Sequence, residues 1–281
     1  MGEFFLVLGL MVAGAIFVFV GSAVIGLLLD LEWAADDGDG IFADPLVDNA
    51  VLLMVLASWI PAVLVAVRVC GKRPAGTLAS VTGRLRWGWL GWCFGLAAVV
   101  LVLQNLVLIF WSLFQDGSEM TSGKTPGWAE LFLSLLVLWA LVPFQAAAEE
   151  FVFRGWLVQL FGGFLRSPWP GVAVASLLFA LAHGFGELSG FLLLCYSAAW
   201  WGWLTIRTGG LEAVIAVHTV NNLIAFSISA VFGELADDST AADAPWEAFA
   251  AELVFAPVFC LAVARLARRR GVVARTPSLP A

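Results

Sequence analysis

Residues 128–154, WAELFLSLLVLWALVPFQAAAEEFVFR, form a long apolar run that carries three charged side chains near its end. About 20 apolar residues, at ~1.5 Å per residue in a helix, cross a hydrocarbon core of roughly 30 Å. The run is longer than this minimum and therefore predicts a transmembrane helix. Glu149, Glu150 and Arg154 would then lie at membrane depth.

The composition of the whole chain is that of a membrane protein. Of its 281 residues, 62% are hydrophobic and 12% are charged, and the mean hydropathy is +0.96. So little polar surface excludes a water-soluble globule. We therefore predict an all-α integral membrane protein, a polytopic bundle of about eight transmembrane helices in a single domain over residues 1–281. The predicted spans are 4–29, 50–69, 88–114, 129–161, 170–187, 189–206, 211–233 and 248–267.

The connections between these spans alternate in charge. Residues 30–49, 116–127 and 234–247 are acidic, whereas the intervening connections are basic and only Lys124 departs from the pattern. By the positive-inside rule the basic connections and both termini are cytoplasmic, and residues 268–281 form a basic cytoplasmic tail. The basic residues are Arg68, Lys72, Arg73, Arg84, Arg86, Arg166, Arg207, Arg265, Arg268, Arg269, Arg270 and Arg275.

Other functional classes find little support in the sequence. Its four cysteines are scattered without a C-x-x-C spacing, which argues against a thiolate metal site. There is no phosphate-binding loop and no nucleic-acid-binding module, so we expect no nucleic-acid partner. An alanine-rich chain with short basic connections is typical of bacteria, and we expect a multi-pass protein of the bacterial plasma membrane, in contact with membrane lipid.

Few polar side chains remain inside the predicted spans. A charged group at the bilayer centre costs about 2.5 to 3.5 kcal/mol on insertion scales, so such groups are functional candidates. Both histidines of the chain are among them. The set comprises Glu149, Glu150, Arg154, His183, His218, Asn221 and Asn222, with Gln104, Asn105 and Gln145 as lesser members. Most of these side chains fall in residues 128–233, which we predict to be the catalytic core.

Helical geometry separates the roles of these side chains. Residues four apart share a helix face, so Glu150 should pair with Arg154, and His218 should lie beside Asn222. Glu149 then points toward another helix, without a cation of its own in the same segment. Because a general base must be able to accept a proton from the substrate or water, Glu149 is the better base candidate.

A purely structural role is the alternative for every one of these groups, because polar side chains often hydrogen-bond between membrane helices. We assign that packing role to Gln104, Asn105, Glu187, Glu212 and Tyr196. The two carboxylates and the two histidines together favour function.

Three short motifs, EEFVFR (149–154), FALAH (179–183) and HTVNN (218–222), lie on separate predicted spans. In this order they resemble the EExxxR, FxxxH and HxxxN motifs of the CPBP family, also called Abi, which contains membrane-embedded CAAX prenyl proteases and bacteriocin-processing enzymes. Each motif alone is weak, but the ordered set is specific, and no named position departs from it.

The resemblance implies an intramembrane endopeptidase of CAAX prenyl protease type, which hydrolyses a peptide bond in a membrane-associated peptide or protein. By carry-over of the motifs, Glu149 with His183 would activate the attacking water, while Glu150 and Arg154 would orient the site. The substrate could be prenylated or not, since leader peptides and bacteriocins are as plausible as prenylated proteins.

By the same resemblance, His218 and Asn222 would stabilise the oxyanion of the tetrahedral intermediate. Two histidines and a glutamate also match the His₂Glu ligand set of catalytic zinc, so Glu149, His183 and His218 would be the ligands if a metal is used. Asn222 is a common oxyanion donor and a poor zinc ligand, which favours a glutamate mechanism without a cofactor. Both a glutamic protease and a metalloprotease stay open at this point.

Two other functions stay open as alternatives. An ion-coupled or proton-coupled transporter would use the buried charges as a relay, and it predicts inverted repeats and helices broken at mid-membrane. Pro143 lies six residues before Glu149, but no internal repeat is visible. A non-catalytic membrane immunity or scaffold protein would keep the polar side chains for packing alone.

Overall fold

The structure of the chain is a computed structural model that describes residues 2–34, 40–114, 125–165, 167–237 and 239–276. The predicted basic residue Arg166, the exception Lys124, most of the acidic connection 116–127 and the end of the basic tail lie outside the described residues. The described residues form helices and no strand apart from two isolated bridges, Trp33 with Phe42 and Ser80 with Gly210. This confirms the predicted all-α fold class.

Ten α-helices account for most of the described residues. A π-helical turn, Phe151–Leu157, joins α5 to α6, so that one helix runs from Trp128 to Phe164. The helices are α1 (Gly2–Leu28), α2 (Pro45–Ala57), α3 (Trp59–Val69), α4 (Trp87–Phe114), α5 (Trp128–Glu150), α6 (Val158–Phe164), α7 (Trp169–Ala182), α8 (Leu188–Thr208), α9 (Glu212–Phe232) and α10 (Trp246–Arg269).

Each of the eight predicted spans falls on these helices, but two of them are weaker spans than the sequence predicts. Among the described residues six helical segments are long and apolar enough to cross a membrane, namely α1, α2 with α3, α4, α5 with α6, α9 and α10. The predicted span 170–187 is shorter, because α7 ends at Ala182 and Gly184 turns the chain with a φ of 88°. Helix α8 has 21 residues, but its tryptophans, serines and arginine lower its hydropathy.

The chain divides into two compact units, and the division runs through two of the helices. It falls between Glu149 and Glu150 and between Val220 and Asn221, so both units contain part of the long α5–α6 helix and part of α9. The single domain, the catalytic core at 128–233 and the cytoplasmic termini stay predictions. Unit 1 comprises Met1–Arg73, Thr121–Glu149 and Asn221–Asp237, and unit 2 comprises Pro74–Met120, Glu150–Val220 and Asp238–Ala281.

An apolar cluster holds α2, α5 and α9 together in unit 1. Its centre consists of the buried side chains Leu53, Leu138, Val142 and Ala230. Because lipid tails are as apolar as leucine, such a cluster is held in a bilayer by van der Waals packing rather than by exclusion of water. The cluster packs α5 against α9 about two to three turns from Glu149 and Asn221.

Polar contacts join the helices of unit 2. Glu252 of α10 accepts hydrogen bonds from Gln104 Nε2 of α4, at 2.9 Å, and from the hydroxyl of Ser197 in α8. We call these three residues the Glu252 cluster. Near the start of α9, Arg86 donates to both carboxylate oxygens of the fully buried Glu212, at 2.6 and 2.7 Å. Glu212 thereby fixes the beginning of the helix that carries His218.

Candidate active site

Three motif residues form a buried ion-pair network in unit 2. Arg154 Nη1 donates to Glu150 Oε1 at 3.0 Å, and His218 Nδ1 lies 2.7 Å from the same oxygen. The side chains of Glu150, Arg154 and His218 are at most 4% exposed. A carboxylate oxygen can only accept, so His218 carries its hydrogen on Nδ1. The expected pairing of Glu150 with Arg154 is present, and it includes a histidine that the sequence placed elsewhere.

The ring of Phe179 is the point where all three motifs meet. The guanidinium carbon of Arg154 lies 4.1 Å from the ring centroid, a cation–π contact. The imidazole centroids of His183 and His218 lie 4.7 and 5.8 Å from the same centroid. Trp201 of α8 completes this group, with its ring 5.2 Å from that of His218. We call Glu150, Arg154, Phe179, His183, Trp201 and His218 the Phe179 cluster.

His183 caps the end of α7 and is half-buried. Its Nδ1 lies 2.9 Å from the carbonyl oxygen of Phe179, one turn earlier in the chain. Its own carbonyl accepts a hydrogen bond from the hydroxyl of Thr240. Since a carbonyl accepts, Nδ1 is protonated and the neutral ring has Nε2 as its acceptor.

Glu149 and Asn222 belong to unit 1, where a third residue connects them. Gln145 Nε2 donates to Glu149 Oε1 at 2.6 Å, and Gln145 Oε1 accepts from Asn222 Nδ2 at 3.0 Å. Gln145 and Glu149 are buried, and Asn222 is half-buried. We call these three residues the Gln145 bridge. In unit 2, therefore, the first motif contacts the third directly through Glu150 and His218, and in unit 1 the two motifs are connected through Gln145.

The sequence underrated two members of these groups. Gln145 appeared only as a lesser polar residue, although it precedes Glu149 by four positions and so shares its helix face. Trp201 could not be predicted as a site residue, because the WWGW stretch does not distinguish a tryptophan at the membrane interface from one in a functional site. Asn221, next to Asn222, is exposed, and its one hydrogen bond among the described residues runs from its Nδ2 to the side-chain oxygen Oδ1 of Asn222, at 3.4 Å.

The helix widens where it enters the Phe179 cluster. Residues Phe151–Leu157 follow Glu150 directly, are π-helical and are all buried. Such π-helical turns occur frequently at functional sites, since they redirect side chains within a continuous helix. Arg154 lies in this turn and still reaches Glu150.

A catalytic zinc would need Glu149, His183 and His218 as its ligands. Among the described residues, no group of three or more His, Cys, Asp or Glu side chains is placed so that it could hold a metal ion. Glu149 belongs to unit 1 and both histidines belong to unit 2, and we derive no chemistry through a metal.

Comparisons with known proteins agree with the motifs. Over 271 residues the chain is 27% identical to the uncharacterized protein YyaK of Bacillus subtilis (strain 168), covering 91% of this chain and 88% of YyaK. No solved structure matches the chain. Residues 129–224, which contain all three motifs, match the family of Rce1-like type II CAAX prenyl endopeptidases, and the resemblance read from the sequence is thereby confirmed.

Proposed function

We propose that this protein is an intramembrane endopeptidase of CAAX prenyl protease type. The observation that carries the proposal is the Phe179 cluster, in which Arg154, Phe179, His183 and His218 bring the three motifs into contact inside unit 2. The family match over residues 129–224 supports the same activity. Because an arginine, a carboxylate and an imidazole are expensive to bury in a bilayer, their concentration at one place favours a chemical role.

Glu149 is the proposed general base. It accepts a proton from water while the water oxygen bonds to the carbonyl carbon of the substrate peptide. The C–N bond then breaks and the proton passes to the leaving amine, so one water is consumed and two peptides are released. Gln145 holds Oε1 of the base, and His183 is assigned to orient the water, as the resemblance implies.

His218 and Asn222 are the proposed donors to the oxyanion. Glu150 accepts from His218 Nδ1, which assigns Nε2 to the substrate oxygen, and a second proton on the ring makes Nε2 a donor. The positive charge that results lies beside the Glu150 carboxylate. Asn222 Nδ2 has two hydrogens, of which Gln145 accepts one. Donors aimed at developing negative charge in a dry site are worth about 10²- to 10³-fold in rate each.

The proposed chemistry is that of a glutamic protease without a metal. Glu149 acts directly as the base, and the imidazoles act as hydrogen-bonding groups rather than as ligands. The proposed substrate is a membrane-associated peptide or protein, with or without a lipid group, and the proposed location is the bacterial plasma membrane.

The test is cleavage of prenylated and unprenylated peptide libraries by the detergent-purified protein. We expect Glu149→Gln to lower the rate by about 10²- to 10⁴-fold, the usual contribution of general-base catalysis. Glu130→Gln is the matched control, because Glu130 lies on the same helix and is exposed. A wild type that cleaves neither library overturns the proposed function. A Glu149→Gln variant that keeps the wild-type rate overturns the assignment of the base.

The same purified protein, reconstituted in liposomes, separates this proposal from its alternatives. A transporter would carry an ion or proton flux that Glu149→Gln abolishes, without any cleavage. A scaffold or immunity protein would show neither flux nor cleavage, and Glu149→Gln would leave its scaffold or immunity function unchanged.

A further inference from the structure

Gln145 occupies a position that neither the motifs nor their spacing assign to the reaction. It lies one turn before Glu149 on α5, it is 4% exposed, and its amide contacts Glu149 on one side and Asn222 on the other. All three residues belong to unit 1. The proposed base and one proposed oxyanion donor are therefore connected through one side chain.

The direction of both hydrogen bonds follows from the carboxylate. Glu149 Oε1 can only accept, so the Gln145 amide must turn its Nε2 toward Glu149. That orientation presents Gln145 Oε1 to Asn222, which must then turn its own Nδ2 toward Gln145. The amide orientation of Asn222 is thus fixed from Glu149, two hydrogen bonds away.

Without Gln145, little else would hold the Asn222 amide. Its other contact among the described residues is with the exposed Asn221, at 3.4 Å, beyond the usual range for such a bond. An amide that rotates by 180° presents its carbonyl oxygen where a donor is needed, which would repel an oxyanion. Hydrogen bonds in series also polarise one another, so each bond of the bridge strengthens the other.

We propose that Gln145 is a positioning residue for peptide hydrolysis: it holds Glu149 and sets the amide of Asn222 with its donor toward the substrate oxygen. The inference rests on the proposed function, since it assigns Gln145 a part in the same reaction. Gln145 acts through its two neighbours and does not itself contact the reacting atoms.

The chain offers a matched pair of variants for the test. Gln145→Met removes both hydrogen bonds and keeps the length and volume of the side chain. Gln104→Met removes a buried Gln–Glu hydrogen bond of the same kind, to Glu252, outside the proposed site. Each substitution leaves a buried polar partner without its hydrogen bond. The loss corresponds to about a 5- to 150-fold change in an equilibrium or rate constant.

We expect Gln145→Met to lower kcat by about 10- to 100-fold while KM stays within about twofold, because ground-state binding does not depend on the oxyanion donor. Gln104→Met should keep the wild-type kcat, and its melting temperature should be similar to that of Gln145→Met. The double variant Gln145→Met/Asn222→Ala should lose less rate than the product of the two single losses, since part of the effect of Gln145→Met is the loss of the same donor. Equal losses of kcat in the two glutamine variants, or an unchanged kcat in Gln145→Met, would overturn the proposal.

A second measurement does not depend on activity. The chain contains four glutamines, so protein labelled with ¹⁵N in the glutamine side chains gives few amide signals, and the one lost in Gln145→Met belongs to Gln145. That signal should shift in both Glu149→Gln and Asn222→Ala and stay in place in Glu130→Gln. A Gln145 signal whose position is the same in wild type, Glu149→Gln and Asn222→Ala disproves the bridge. A wild type that cleaves no peptide disproves the function and the positioning role, while a shifting signal would still establish the hydrogen bonds.

Discussion

His218 donates its Nδ1 hydrogen to Glu150 Oε1 over 2.7 Å, and this single oxygen also accepts the hydrogen bond from Arg154. The carboxylate that follows the proposed base is thus paired with Arg154 and His218, and it takes no part as a base in the proposed reaction. Adjacent glutamates in one motif consequently have different partners and different proposed roles.

Arg154→Leu should destabilise the protein strongly. Removal of one partner from a buried ion pair leaves an uncompensated charge, which costs about 3 to 5 kcal/mol. Thermal unfolding in detergent measures the effect. Arg207→Leu is the control, because Arg207 is exposed and its one contact among the described residues is a cation–π contact with Trp203, at 5.7 Å. A melting temperature of Arg154→Leu equal to that of Arg207→Leu would contradict a buried pair.

Asn222→Ala and Asn221→Ala should differ in rate although the residues are neighbours. Loss of one oxyanion donor typically costs about 10²- to 10³-fold in kcat, so we expect this loss in Asn222→Ala. Asn221 is exposed and takes no part in the proposed reaction, and its variant should keep kcat within about twofold. The comparison needs only initial rates at saturating peptide. Equal rates in both variants would remove Asn222 from the mechanism.

Phe179→Leu should reduce both stability and rate. The substitution removes the face that Arg154 contacts at 4.1 Å, an interaction worth about 2 kcal/mol when it is desolvated. It also removes the aromatic ring that contacts His183 and His218, so both imidazoles lose part of their support. Melting temperature and kcat are the two measurements, with Phe185→Leu as control since that ring is 70% exposed. Should Phe179→Leu behave like its control, the cluster would be incidental to activity.

The activity should not depend on a metal. We expect elemental analysis of active enzyme to find no stoichiometric zinc, and a strong chelator to leave the cleavage rate unchanged, because Glu149 is the proposed base and no step requires a Lewis acid. One zinc per chain, together with activity lost on chelation and recovered on adding zinc, would replace the glutamate mechanism by the metalloprotease one.

Hydropathy predicted the positions of all eight helical stretches, because a bilayer-spanning segment must be apolar along its whole length. It overestimated α7, since the predicted span 170–187 includes the turn after Ala182, where Gly184 has a positive φ. The π-helical turn at Phe151–Leu157 could not be predicted either, because the sequence does not reveal a shift of hydrogen bonds from i+4 to i+5.

The candidate site was predictable in its residues and less so in its partners. Four-residue spacing correctly paired Glu150 with Arg154, but contacts between distant segments, such as His218 with Glu150 and Asn222 with Gln145, depend on how helices pack. Glu212 was assigned to packing near a span end, and its pairing with Arg86 is a structural contact of that kind. Glu252 lies inside the predicted span 248–267 but is missing from the predicted set of polar side chains, and its neighbours in the sequence gave no indication of its two donors.

The Glu252 cluster bears on how the protein is made. Glu252 lies in α10, whereas its donors Gln104 and Ser197 belong to α4 and α8, which leave the ribosome earlier. A lone charged side chain adds about 2.5 to 3.5 kcal/mol to the insertion of a helix, and waiting donors in the bilayer reduce that cost. The donors are therefore synthesised before Glu252. The insertion of α10 then depends on helices α4 and α8, which are already in the bilayer.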